Sequence, residues 1–314
     1  MKTGPFIHSG RTTSVLMTHT LLALLPVIVA SVWRYGFDAA LLFVVTISFS
    51  VLTEFIFSRR MLAEGSVLII GIIFALLLPA NTPWWIAALG AVIAIGLGKY
   101  CFGGLGQNVF NPAVLSRVIL TGVLPVYFLM PRWPIDGTTQ ATPLAKEIDA
   151  VLPSLQTLIF GSHPGALAQA FPLAIVSGGL ILLVLRIIDW RVPLYYFATI
   201  SLFALILPVS ERISGHVPYL AGNPLLHLLS GGTLLTGFFI LTDPVTSPFS
   251  SKGRISFAII AGLYTMIIRY YTPYPDGALF AVLLANAMVP AMDKYFLTQV
   301  NTTSPINIQS GQTK

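Results

Sequence analysis

Three polar strings interrupt an otherwise apolar chain, and they hold most of the residues able to do chemistry. The first is Gly103-Gly104-Leu105-Gly106-Gln107-Asn108-Val109-Phe110-Asn111-Pro112-Ala113. Its glycines permit positive φ and close backbone approach. Gln107, Asn108 and Asn111 offer amides, and Asn111 before Pro112 is suited to cap a helix that starts at the proline. Such a helix start favours a polar or anionic group; a tight interhelical turn is the plain alternative. The string lacks Gly-Lys-Ser/Thr and is no nucleotide P-loop. The second string is Ser230-Gly231-Gly232-Thr233, followed by Thr242-Asp243-Pro244-Val245-Thr246. Small residues in an apolar segment also serve close helix packing, and Asp243-Pro244 suits a helix end. The third, Asp136-Gly137-Thr138-Thr139-Gln140-Ala141-Thr142-Pro143-Leu144, reads by itself as a turn.

Other chemistry has little support. A single cysteine, Cys101, excludes an internal disulfide and an iron–sulfur cluster held by this chain alone. No His, Asp or Glu cluster has metal-ligand spacing, so no metal site is expected, and no catalytic triad stands out. Ionisable residues within apolar segments are functional candidates by default. Glu54, Arg117 and His19 qualify, although Glu54 with Arg59 and Arg60 nearby also reads as interfacial, and His19 as a packed imidazole. Asp38, Lys99 and Arg269 lie nearer segment ends and are expected to snorkel.

The elements that must position these residues are set by composition. Hydrophobic residues make up 55% of the 314 and charged residues 9%, against about 25% charged in soluble domains. Apolar runs without period-two alternation recur along the chain, which predicts helices crossing a core about 30 Å thick and argues against a barrel. Spans are expected at 15–33, 37–57, 66–79, 84–100, 112–129, 170–188, 192–208, 222–241, 254–271 and 276–296, the third short enough for a half-helix. The fold class is therefore an all-α integral membrane protein of about ten transmembrane helices, one polytopic domain over 1–314. A long outer loop is expected at 131–169 and a disordered tail at 298–314. With no cleavage site after the first run, that run reads as a retained helix. Placing the N-terminus inside puts the larger share of Lys and Arg on the inner side, which predicts N-in and C-in. The net charge of +6 comes from scattered basic residues, so nucleic acid is not an expected partner. Phe74–Pro79 resembles Phe203–Pro208, and Asn111-Pro112 faces Asp243-Pro244 downstream at nearly the same offset, suggesting an internal repeat of the kind built into many transporters; the span count puts both strings at outer ends, which fits a parallel repeat and not a five-plus-five inverted one.

The three strings, in this order, resemble one family: the D component of the Rnf electron-transport complex (RnfD) and its relative, the B component of the Na⁺-translocating NADH:quinone reductase (NqrB). The resemblance covers roughly 12–296. The short polar stretch before the first span is closer to RnfD. The resemblance implies a membrane subunit, in the inner (cytoplasmic) membrane of a bacterium or archaeon, of a ferredoxin- or NADH-linked, ion-translocating oxidoreductase of the translocase class. It implies covalent FMN as a phosphoester on Thr233, attached from the outer side by a separate flavin transferase, with Ser230, Gly231 and Gly232 as close-approach residues. Gly232 stands where alanine is usual, and His227 where an acidic residue is often seen. Asn108, Asn111 and Thr142 join the implied cofactor-binding set, and riboflavin is an implied second flavin. The implied partners are an outer flavin subunit, small membrane subunits and cytoplasmic iron–sulfur subunits. The rival reading is a secondary transporter or channel with its solute site at Gly-rich broken helices.

The topology is testable directly. In a Cys101→Ser background, Gln140→Cys should react with an impermeant maleimide from outside and Lys252→Cys only from inside; labelling of both from one face would refute the span count.

Overall fold

The computed structural model describes residues 13–58, 65–104, 106–129, 155–161, 165–206, 223–272, 274 and 276–303. The Asp136–Leu144 string, with Thr142, lies outside them. The described residues are helical and form no strand beyond one isolated bridge, Pro79 with Ala166. Five helices are long and apolar enough to cross a membrane, four apolar ones are shorter, and a further apolar segment is broken. The all-α membrane architecture is thus as the sequence indicates.

Helices α1 (Thr13–Tyr35) and α2 (Phe37–Phe57) are separated only by Gly36, at φ 61°. A half-helix, α3 (Ser66–Leu76), ends in a turn in which the Thr82 hydroxyl donates to the Pro79 carbonyl at 2.7 Å. Next come α4 (Trp84–Gly96) and α5 (Pro112–Val123), the latter begun by Asn111, whose side-chain oxygen accepts from the Val114 amide at 3.3 Å. Short helices α6 (Pro125–Leu129) and α7 (Leu155–Ile159) lead to α8 (Pro172–Val184) and α9 (Arg191–Ile206). The eighth expected span is broken into α10 (Pro224–Leu229), α11 (Thr233–Leu235) and a π-helical turn over Thr236–Ile240. Finally, α12 (Ser251–Tyr271) and α13 (Gly277–Thr303) form an extended pair. Because α13 continues to Thr303, the expected tail from 298 begins as helix.

The order of elements repeats. Each half has two helices, a short or broken third segment, then two more. In each, the second helix packs on the fourth (α2 on α4, α9 on α12) and the first helices meet, α1 on α8. Close approach there depends on Gly178, where a Cβ would lie 2.2 Å from the Ala23 carbonyl oxygen. The third segments share a spacing: Phe74, Pro79, Thr82 and Pro83 against Phe239, Pro244, Ser247 and Pro248. The 203–208 string is therefore not the partner of 74–79; Phe203–Ile206 is the end of α9, and the rest lies outside the described residues.

Two ionisable residues depart from expectation. Lys99, expected to snorkel, is completely buried and pairs with buried Glu54 at 2.7 Å. Its ammonium also donates to Ser66 Oγ at 3.2 Å, and the Tyr100 hydroxyl donates to Glu54 at 2.8 Å. Glu54 is thus a structural anion tying α2 to the end of α4. Arg269 is equally withdrawn from the surface, 5% exposed.

Removing one partner of a buried pair strands the other charge, at a cost of about 3–5 kcal/mol. Lys99→Met should therefore lower the thermal unfolding temperature of the detergent-solubilised chain sharply, and adding Glu54→Gln should restore most of the loss. A Lys99→Met protein as stable as wild type would remove this pair from the account.

Candidate functional site

The first and second polar strings meet. The Asn111 backbone amide donates to Asn286 Oδ1 at 3.2 Å, and Asn111 Nδ2 donates to Asp243 Oδ2 at 3.5 Å. Asp243 also accepts from the Val245 amide at 3.1 Å and the Thr246 hydroxyl at 3.4 Å. Asn286, on α13, closes the ring by donating from Nδ2 to the Thr246 carbonyl at 3.0 Å. A turn at the start of α5, the turn after the π-helix and the middle of α13 thus share one buried polar junction. Asn108 stands near Asn111 in sequence with its side-chain oxygen buried and without a protein partner. Such an atom calls for water or ligand, which suits the expected role of this string in holding a polar group.

The second focus is the break in the eighth span. Asn223 caps α10, accepting from the Leu226 amide at 3.2 Å, with Pro224 in the first turn. The chain then turns through Gly231, at φ 69°, a left-handed position where glycine carries no steric cost. The Gly232 amide donates to Asp276 Oδ1 at 3.0 Å, just before α13. Thr233 and Ser230 are fully buried. The Thr233 hydroxyl reaches the carbonyls of His227 at 2.9 Å and Ser230 at 3.1 Å, and accepts from Arg269 Nη2 at 2.6 Å. Arg269 Nη1 donates to the His227 carbonyl at 2.7 Å and Nη2 to the Ser230 carbonyl at 3.2 Å. One guanidinium therefore spans the break, satisfying carbonyls that α10 leaves open.

Downstream the break relaxes into the π-turn, where the Leu241 amide donates to the Thr236 carbonyl at 2.9 Å. A Cβ on Gly237 would lie 2.4 Å from Phe197, so the turn packs against α9 only with glycine there. π-turns of this kind occur frequently at functional sites.

A model of the NQR2, RnfD, RnfE family matches residues 1–301. The chain belongs to that family. Among its relatives is the D component of the Na(+)-translocating ferredoxin:NAD(+) oxidoreductase complex of Acetobacterium woodii, 34% identical over 307 residues, covering 94% of this chain and 92% of that protein. Another is the D component of the ion-translocating oxidoreductase complex of Stutzerimonas stutzeri, 37% identical over 325 residues and covering 89% of each. The protein of the same description from Escherichia coli (strain K12 / DH10B) is 34% identical over 339 residues, covering 93% and 95%.

For an NQR2, RnfD, RnfE family member the implied FMN anchor can be tested against the geometry. The residues around Thr233 carry four buried polar atoms without a protein partner: His227 Nδ1, Ser230 Oγ, Thr236 Oγ1 and Arg269 Nε. Native structures leave few such atoms, and a cluster of them calls for a polar ligand or water. Guanidinium and hydroxyl donors are the set that phosphate oxygens accept from. The residues present therefore fit a phosphoester. Enclosure sets a condition on how it is made. The Thr233 oxygen has no exposed surface and is engaged by a guanidinium and two carbonyls. Transfer of FMN from a flavin phosphoanhydride would form the Thr233 Oγ–P bond, break the donor's P–O–P bond, release its other phosphate part and the hydroxyl proton, and require the break to open beside α12. Ser230, Gly231 and Gly232 serve the chain reversal that presents Thr233, and Gly232 is closed off by Asp276. Asn111 belongs to the other focus, at the Asp243 junction, and Asn108 precedes it in sequence with its side-chain oxygen partnerless. Sequence reasoning missed Asn286; its one signal was a lone amide in the apolar run Leu283-Leu284-Ala285-Asn286-Ala287-Met288. It also missed Asp276, and the inward turn of Arg269.

Asn286→Leu would leave the Asn111 amide and the Thr246 carbonyl unpaired in a buried place, a loss of about 1–3 kcal/mol each. The purified variant should unfold at clearly lower temperature. Equal stability of Leu and wild type would argue that the junction contributes nothing.

Proposed function

We propose that this chain is a membrane subunit of an ion-translocating oxidoreductase complex, relaying electrons through FMN bound covalently to Thr233. The observation that carries the reading is the family match along nearly the whole chain. Support for the assembly comes from relatives whose names describe the same component of such complexes. The partnerless polar atoms on His227, Ser230, Thr236 and Arg269 support the choice of Thr233. The proposed partners are an outer flavin subunit, small membrane subunits, cytoplasmic iron–sulfur subunits and a flavin transferase, in the cytoplasmic membrane with both termini inside. In that orientation α12 ends at the outer side, and Thr233 lies level with its last turn through Arg269, within reach of an enzyme acting from outside.

Bound FMN would supply one- and two-electron transfer, and the protein would supply its position and electrostatics. The hydroxyl is enclosed in the folded chain, so attachment precedes the closing of α12 over the break or accompanies its opening. Asn108, with its partnerless oxygen, Asn111 and Thr142 remain proposed ligands of a second, noncovalent flavin such as riboflavin. The transporter reading contributes one element: the broken eighth segment supports an ion route within this chain, with Na⁺ or H⁺ as the coupled ion.

The experiment is in-gel flavin fluorescence of denatured protein made together with the transferase. Wild type and Thr142→Val should fluoresce, and Thr233→Val should not. Fluorescence surviving in Thr233→Val would place the anchor elsewhere, and a dark wild type would sink the covalent-flavin reading.

A further inference from the structure

Two buried cations in this chain are treated differently. At the end of α4, Lys99 has its own carboxylate, Glu54. In the last turn of α12, Arg269 has none within ion-pairing distance among the described residues. The acid nearest in effect, Asp276, acts on Arg269 through its charge and spends one oxygen on the Gly232 amide. Leaving a buried charge without a partner is costly. The third buried cation, Arg117, also has no carboxylate within ion-pairing distance among the described residues, but its guanidinium faces an aromatic ring. Its Nε donates to the Leu77 carbonyl at 2.9 Å, and its guanidinium lies 3.9 Å from the centre of the Phe128 ring.

The donors of Arg269 are also incompletely used. Its two Nη atoms point at the His227 and Ser230 carbonyls and the Thr233 oxygen, while Nε is buried and partnerless. A guanidinium carries five N–H donors in a rigid fork, and a buried donor left without an acceptor is costly. Beside it, Ser230 Oγ is likewise buried without a partner. One anionic group with several acceptor oxygens, placed on the Thr233 oxygen, would answer all three deficits: the missing charge, the idle Nε and the idle hydroxyl.

We propose that Arg269 is the counter-cation of a phosphodiester at Thr233: it holds the free hydroxyl in place before attachment and pairs with the single negative charge of the ester afterwards. Ser230 Oγ supplies a second, neutral donor to the same phosphate. This rests on Thr233 being the anchor, and makes Arg269 a positioning residue. Arginine suits the task because its planar fork meets two phosphate oxygens at once and stays charged in a buried place.

The test compares thermal unfolding of the full-length chain made with and without the flavin transferase, with intact mass reporting how much FMN each sample carries. In the native chain attachment should raise the unfolding temperature by several degrees, because the ester supplies the charge that Arg269 lacks. In Arg269→Gln the ester becomes the unpaired buried charge, so attachment should give no rise, or a fall. Arg269→Lys should restore part of the rise. A merely structural arginine would lower both samples alike and leave their difference unchanged; that result in a flavin-loaded Arg269→Gln chain overturns the proposal.

Should Arg269→Gln not fold, the comparison becomes Thr233→Asp against Thr233→Asn, unloaded and with Arg269 native. The aspartate should be the more stable of the two, since it brings a charge of the right sign to the right place; an aspartate variant less stable than the asparagine one overturns the pairing. The two levels fail differently. A wild-type chain that carries no FMN, or carries it in Thr233→Val, defeats the anchor and this inference with it. A chain loaded at Thr233 whose stability gain ignores Arg269 defeats the inference alone.

Discussion

The buried polar side chains of this protein answer one constraint: a helix broken inside a bilayer must find partners for its backbone within the protein, because the lipid offers none. Among the described residues an apolar segment breaks after α3 and another between α10 and α11, and each break is closed by a buried arginine. Arg117, on α5, reaches the Leu77 carbonyl, contacts Thr121 and stacks over Phe128. Arg269, on α12, does the same work for His227 and Ser230. Guanidinium suits this role because its fork reaches several carbonyls at once and stays charged. Leu167 assists at the first break, its amide donating to the Leu78 carbonyl at 2.8 Å. Without these donors, neither half-segment could end where it does.

The breaks in turn place the polar strings. The turn after α3 and the turn after the π-helix share a spacing of phenylalanine, prolines and hydroxyl residues, so the two halves deliver comparable turns to the interior. In the second half that turn carries Asp243, and there it meets Asn111 at the start of α5. Asn286 joins them because α13 runs beside α5. A junction built from both halves is sensitive to any relative shift between them.

Much of this was legible in the sequence. Hydropathy located the apolar segments, because the bilayer demands long apolar runs, and Pro79 marked α3 as a half-helix. The cap at Asn111 followed from local chemistry: an amide side chain before a proline that can only begin a helix. What could not be read was pairing across the chain. Lys99 and Glu54 are 45 residues apart, and nothing local says that an end-of-helix lysine turns inward. The break at Ser230–Gly232 sits in a continuous apolar run, where small residues read equally well as packing. The internal similarity was misplaced because Phe-Ala-Leu-like strings are common in apolar sequence; the true correspondence appears only when each third segment is seen to end in a turn.

The surroundings of Thr233 show where sequence reasoning about small residues goes astray. A threonine among glycines looks accessible, because its neighbours lack bulk. Here the glycines do something else. Gly231 lets the backbone fold back and Gly232 lets Asp276 approach, while Arg269 lies against the Thr233 oxygen. The hydroxyl is enclosed as a result, yet the enclosure is unfinished: four polar atoms on the residues around it have no partner. A site whose only task was to hold a helix break would gain by filling them with apolar contacts or with one another. Leaving donors idle inside a membrane is costly, and the cost falls away only when something polar arrives. The partnerless atoms on His227, Ser230, Thr236 and Arg269 call for water or a polar ligand, which the string of small residues alone does not indicate.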